Sequence, residues 1–133
     1  MGVVRNLVNI QLLRLSYKDP KNIKNLLRNW GGLESLSYKG DTVATSILAD
    51  LKMVTGIDVE KFNRADKEAF NLGYLNGKLS HYQYMSIAYT LVLGYTQEEV
   101  AWVMGVDQSV VSKNINSGIR KMQKELNAML EDD

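Results

Sequence analysis

Apolar residues recur every three or four positions along most of the chain, and glycines or helix-starting residues separate the stretches that carry this period. Such spacing puts one face of each helix against a core. Between positions 3 and 16, Val4, Leu7, Val8, Leu12 and Leu15 form one stripe, although Val8, Ile10 and Leu12 also alternate with Asn9 and Gln11 as a strand would. We prefer the helical reading. Asp19 followed by Pro20 predicts a helix start, because aspartate accepts amide bonds that the first turn leaves unmade and proline there forfeits none. This helix runs through Ile23, Leu26, Leu27 and Trp30 and is expected to stop at Gly31 and Gly32, with a linker from Leu33 to Gly40. Asp41 caps the next, with Val43, Ile47, Leu48, Leu51 and Val54 on one side and Gly56 as its stop. Asp58 caps another, through Phe62, Ala65, Ala69 and Leu72 to about Asn76 and Gly77.

Beyond Ser80 the signals sharpen. Ser80 caps a helix through Met85, Ala88, Leu91 and Val92 that Gly94 ends. Thr96 and Glu99 have capping-box spacing, in which each side chain satisfies the other's backbone amide. The short helix that follows carries Val100, Ala101 and Met104, and Gly105 with Val106 makes a tight turn. Asp107 opens a final helix that reaches about Leu130. No segment reads firmly as a strand, so the expected class is all-α. The expected organisation is an N-terminal helical oligomerisation or partner region at 1–77 and a helix-turn-helix DNA-binding domain at 78–133.

The helix-turn-helix reading has a physical reason at each part. Ala101 is small where a second helix crosses the first, and Gly105 takes a positive φ that a side chain resists. Val100, Met104, Val106, Val111 and Ile115 are spaced to share a core. Gln108, Ser109, Ser112, Lys113 and Asn116 are left on the opposite face. Short hydrogen-bonding side chains with a cation suit the edges of bases in a major groove.

Charge sharpens that picture. The total is only +1, from 16 basic and 15 acidic residues, which disfavours a uniformly basic nucleic-acid glue. The total hides two basic sections. Residues 108–124 hold Lys113, Arg120, Lys121 and Lys124 with no acid, and residues 1–30 hold Arg5, Arg14, Lys18, Lys21, Lys24 and Arg28 against Asp19. Cations along the last helix pair with phosphates.

Other chemistry is excluded or weak. There is no cysteine, hence no disulfide, thiolate metal site or cysteine nucleophile. His81 is the single histidine and has no acid or nucleophile at a suggestive spacing. Asp66 and Glu68, beside Arg64 and Lys67, read as a solvated helix face. The isolated glycines match no nucleotide fingerprint, and no apolar run approaches the ~20 residues of a membrane span. Trp102 suits either base stacking or packing against protein. We therefore expect no enzyme, no metal, no cofactor and no membrane partner, and a cytoplasmic location.

Leu79 to Leu126 resembles region 4 of sigma-70-type factors and the helix-turn-helix regulators related to it. The matching residues are Gly94, Tyr95, Thr96, Glu99, Val100 and Ala101, then Met104-Gly105-Val106-Asp107, then Ser109-Val110-Val111-Ser112 and the basic tail to Met122. The resemblance implies that Thr96 and Gln97 touch backbone phosphate. It also implies that Gln108, Ser109, Ser112 and Lys113 face bases or nearby phosphate. Asn116, Arg120 and Lys121 complete the candidate DNA-binding set. Two departures, Asn114 after Lys113 where a second basic residue is common and Val110 for the usual threonine, imply a weaker grip that a dimer compensates. No sigma region 2 is present. A helical N-terminal half before such a motif is also similar to phage late-gene activators of the ArpU/RinA-like group, and Asp41 to Thr45 faintly matches that group's central segment.

The expected function is a sequence-specific transcription regulator, phage or bacterial, that binds double-stranded DNA as a homodimer and recruits or positions RNA polymerase. Two alternatives stay open. One is a phage terminase small subunit recognising a packaging site, and the other is a protein-interaction module of polymerase-binding or anti-sigma type.

Overall fold

The computed structural model describes residues 7–131. Among them the regular structure is entirely helical. In chain order come α1 (Leu7–Ser16), α2 (Pro20–Arg28), α3 (Trp30–Tyr38), α4 (Thr42–Thr55), α5 (Val59–Asn63) and α6 (Lys67–Asn71). A 3₁₀ turn (Gly73–Asn76) leads to α7 (His81–Ile87), which continues into a π-helical turn (Ala88–Val92). Then follow α8 (Gln97–Met104) and α9 (Gln108–Glu131). The all-α class is therefore as the periodicity predicts. The helical preference for positions 3–16 holds from Leu7 onward, and positions 3–6 lie outside the described residues.

Several helix starts follow from side-chain chemistry. Asp19 Oδ1 accepts from the Lys21 amide at 2.8 Å, and Asp41 Oδ1 accepts from the Ala44 amide at 2.9 Å. Ser80 and Gln83 form a reciprocal capping box. Gly56 closes α4 in the left-handed conformation, at φ 78°. That conformation costs a side-chain-bearing residue about 1–2 kcal/mol.

Three expectations need correction. The helix after Asp19 stops at Arg28, before the glycine pair, and the stretch read as a linker is α3. Its driving force is burial: Trp30 and Leu33 are both sealed in the core, one turn apart, so Gly31 and Gly32 are carried inside the helix. The segment from Asp58 to Asn76 is two short helices and a 3₁₀ turn rather than one helix. Ala65 breaks it at φ 62°, and Asp66 restarts it by accepting from the Ala69 amide at 3.1 Å. The break lets Phe62 fold back edge-on to Phe70, with ring centroids 5.3 Å apart, and both rings meet Tyr89. Finally, Asp58 precedes α5 but its carboxylate makes no capping bond.

α9 is the spine. Its buried stripe of Val111, Ile115, Gly118, Ile119, Met122, Leu126 and Leu130 continues over about five turns of a 24-residue helix. It packs against α7 and α8 and also against α1, α2 and α4. Core residues on either side of position 77, such as Ile23, Leu27 and Leu51 before it and Ile87, Ile119 and Leu126 after it, lie in one hydrophobic cluster. Polar groups tie the same elements. Tyr17 Oη donates to the buried Asp50 Oδ2 at 2.7 Å, joining the end of α1 to α4. Near the expected boundary, the Lys78 amide donates to Val54 O at 2.7 Å.

Candidate functional site

The candidate site is built on α8, the three residues Gly105 to Asp107, and the first half of α9. Thr96 Oγ1 accepts from the Glu99 amide at 3.1 Å, and Glu99 Oε1 accepts from the Thr96 amide at 3.0 Å. These bonds start α8 at one register. The Thr96 amide, and then its hydroxyl, hold the Glu99 carboxyl below the usual carboxylate range. Gly105, at φ 69°, ends α8, and the Val106 amide returns to Ala101 O at 3.0 Å. The chain then re-enters helix at Gln108. Val100, Ala101, Val111 and Ile115 are buried at the junction. Met104 and Val106, expected with them, are half-buried against that core.

The predicted site residues divide into groups. Ser109, Lys113, Asn116 and Arg120 are all exposed. Their spacing of four, three and four residues makes one ridge along α9. Gln108 is exposed at the start of the helix, and Lys121 is exposed beside the ridge. Ser112, expected on the outward face, is half-buried instead, because it lies three residues before Ile115 on the flank of the buried stripe. Thr96 caps α8 and Gln97 opens it, away from the ridge. The hydroxyl oxygen of Thr96 is committed to the capping box, and Gln97 is half-buried. Residues 108–124 thus offer four cations and short polar groups on an outward surface with no carboxylate among them.

The structure adds residues that sequence reasoning missed. Lys24 of α2 donates from Nζ to Asn116 Oδ1 at 3.0 Å, a contact between positions 92 apart. The basic run around Lys24 is visible in the sequence, but nothing there shows which helix it meets. A second addition lies on α8. Trp102 is 85% exposed and Val103 71% exposed, so neither belongs to the core of the chain. Beside them is a groove of about 760 Å³ lined by Phe62, Tyr89, Tyr95 and Met104, with Lys67 and Glu98 at its polar part. A signal for this existed at Trp102, which is apolar yet falls outside the three-and-four spacing of Val100 and Met104.

Among the described residues no group of three histidine, cysteine or carboxylate side chains is placed to hold a metal ion. No described helix is long and apolar enough to cross a membrane. Comparison with family models, with curated proteins and with solved structures returns no match.

Proposed function

We propose that this chain is a sequence-specific regulator of transcription that binds double-stranded DNA through α8 and α9. The first half of α9 enters the major groove, and the sigma-region-4-like residues from Gly94 to Met122 are the reader. The observation that carries this reading is the exposed ridge of Ser109, Lys113, Asn116 and Arg120, which follows a left-handed glycine turn and has no acid in 108–124. Hydrogen-bonding side chains specify bases and cations position the helix on phosphates. One small reader buries limited surface, which favours a homodimer on two half-sites.

The test is selection of bound duplexes from a random library, followed by mobility shift at moderate salt. Substituting Gln108, Ser109 and Lys113 with alanine removes the preference for the selected site and leaves helicity unchanged, since all three side chains are exposed. Failure to select any sequence from the library would overturn the proposal.

A second reading has its own observation. Trp102 and Val103 are a large exposed apolar pair on α8, and such pairs mark contacts with protein. In that reading α8 docks on a polymerase-type partner. Trp102→Ala then abolishes the protein contact without changing duplex affinity.

A further inference from the structure

The basic section of α2 and the ridge of α9 lie side by side, in a register that two contacts fix. Lys24 Nζ donates to Asn116 Oδ1 at 3.0 Å. Toward the other end, Gln123 Nε2 donates to Lys18 O at 2.8 Å. Moving from Lys18 to Lys24 therefore corresponds to moving back from Gln123 to Asn116. Lys18 lies in the turn just before α2, and the two contacts occur in opposite chain order, so α2 runs antiparallel to α9.

Lys21, Lys24 and Arg28 are spaced by three and four residues and share one face of α2. Lys21 and Arg28 are exposed, and Lys24 is half-buried where it leans on α9. Lys18 extends the row at one end. Across from them stand Lys113, Arg120, Lys121 and Lys124, all exposed. These eight cations are compensated within 18–28 and 108–124 by Asp19 alone, and its carboxylate is occupied by the Lys21 amide. None of the eight forms an ion pair among the described residues. Like charges gathered on one surface repel one another, and a row of phosphates relieves that repulsion.

We propose that α2 is a second phosphate-binding element of the same DNA site, with Lys21, Lys24 and Arg28 gripping the strand that borders the groove α9 reads. This rests on the DNA-binding reading given above. Lys24 has a further consequence. An ammonium only donates, so Asn116 must turn Oδ1 toward it and keep Nδ2 as its remaining donor group. Asn116 thereby presents a donor to an acceptor on a base edge or phosphate. Lys24 has three protons, so it holds Asn116 and still reaches a phosphate. The N-terminal half of the chain then contributes directly to the DNA surface.

The test uses the full chain, the duplex selected by the wild type and a scrambled duplex of equal length, titrated over a range of salt. Replacing Lys21, Lys24 and Arg28 with glutamine lowers affinity for both duplexes by roughly tenfold or more at physiological salt. It also makes the slope of log K against log salt shallower by about 2 to 3, since each lost phosphate contact removes about 0.9. The double variant Lys21→Gln with Arg28→Gln keeps the Lys24–Asn116 bond and gives a slope change of about 2 at an unchanged ratio. A wild-type slope in both variants, with helicity and thermal midpoint intact, overturns this inference and leaves the DNA reading standing. A wild type that binds no duplex at all overturns both.

Discussion

Replacing Gly56 with alanine tests a close backbone approach between the end of α4 and the 3₁₀ turn. Gly56 ends α4 at φ 78°, and a Cβ built there would press on the Gly73 carbonyl, with its carbon 2.9 Å away and the Gly77 amide nitrogen 3.1 Å away. Those neighbours are backbone, so no side chain can swing clear. The left-handed conformation costs about 1–2 kcal/mol for a residue with a Cβ. Parting the end of α4 from the 3₁₀ turn adds about 1–3 kcal/mol, the usual range for overpacking. The sum, about 2–5 kcal/mol, is a large share of the ~5–15 kcal/mol that holds a domain folded. It corresponds to a midpoint lowered by roughly 7–18 °C at this chain length. Gly105→Ala is the comparison, because Gly105 has φ 69° but open space where its Cβ would go. That variant loses only the conformational part, about 1–2 kcal/mol. Thermal and urea unfolding followed by far-UV circular dichroism measures both. Equal losses at the two positions would refute the packing of α4 against the turn.

Four further predictions concern stability. Thr96→Ala removes the capping box of α8 and costs about 1 kcal/mol in urea unfolding; a neutral result would show that the box contributes nothing. The Glu99 carboxyl titrates below its ordinary range when folded, so its contribution is present above the ordinary carboxylate pKa and fades as pH falls through the lowered folded value. The stability difference between wild type and Glu99→Gln should therefore shrink on acidification, and a constant difference contradicts it. Burial first, then the charges of Tyr89 and Asp58, push the Tyr84 hydroxyl far above the usual tyrosine range, and its proton is given to the Phe70 carbonyl. Stability from Tyr84 is then full below about pH 10 and lost as pH rises toward the folded value, so Tyr84→Phe flattens the alkaline limb of a stability–pH curve. Lastly, Leu27→Ala and Ile119→Ala, both in one cluster on opposite sides of position 77, each cost about 2–5 kcal/mol. Both should shift a single shared unfolding transition, and two separable transitions in calorimetry would contradict a common core.

Local chemistry accounts for what was legible along the chain. Capping by Asp19, Asp41, Ser80 and Thr96 acts over two or three residues, and the positive φ of Gly56 and Gly105 belongs to the turn itself, so each could be read from neighbouring residues. The exposed polar and basic face of α9 was legible for the same reason, since helical spacing alone decides which side chains stand opposite Val111 and Ile115. The errors came where packing outweighed propensity. Gly31 and Gly32 weaken a helix by about 1 kcal/mol each, yet burying Trp30 and Leu33 outweighs that cost. Likewise the Phe62–Phe70 contact draws the chain back at Ala65, where local preference alone favours continuing the helix.

The helical class of residues 7–131, the start of α8, the turn at Gly105 and the absence of carboxylates from 108–124 were therefore legible in the sequence, because these depend on residues within one or two turns of each other. That Lys24 reaches Asn116 and that Trp102 stands in the open beside a groove came from the packed helices alone. Those outcomes depend on which helix faces are paired across the core, and pairing between residues 92 positions apart leaves no mark on the period of either helix.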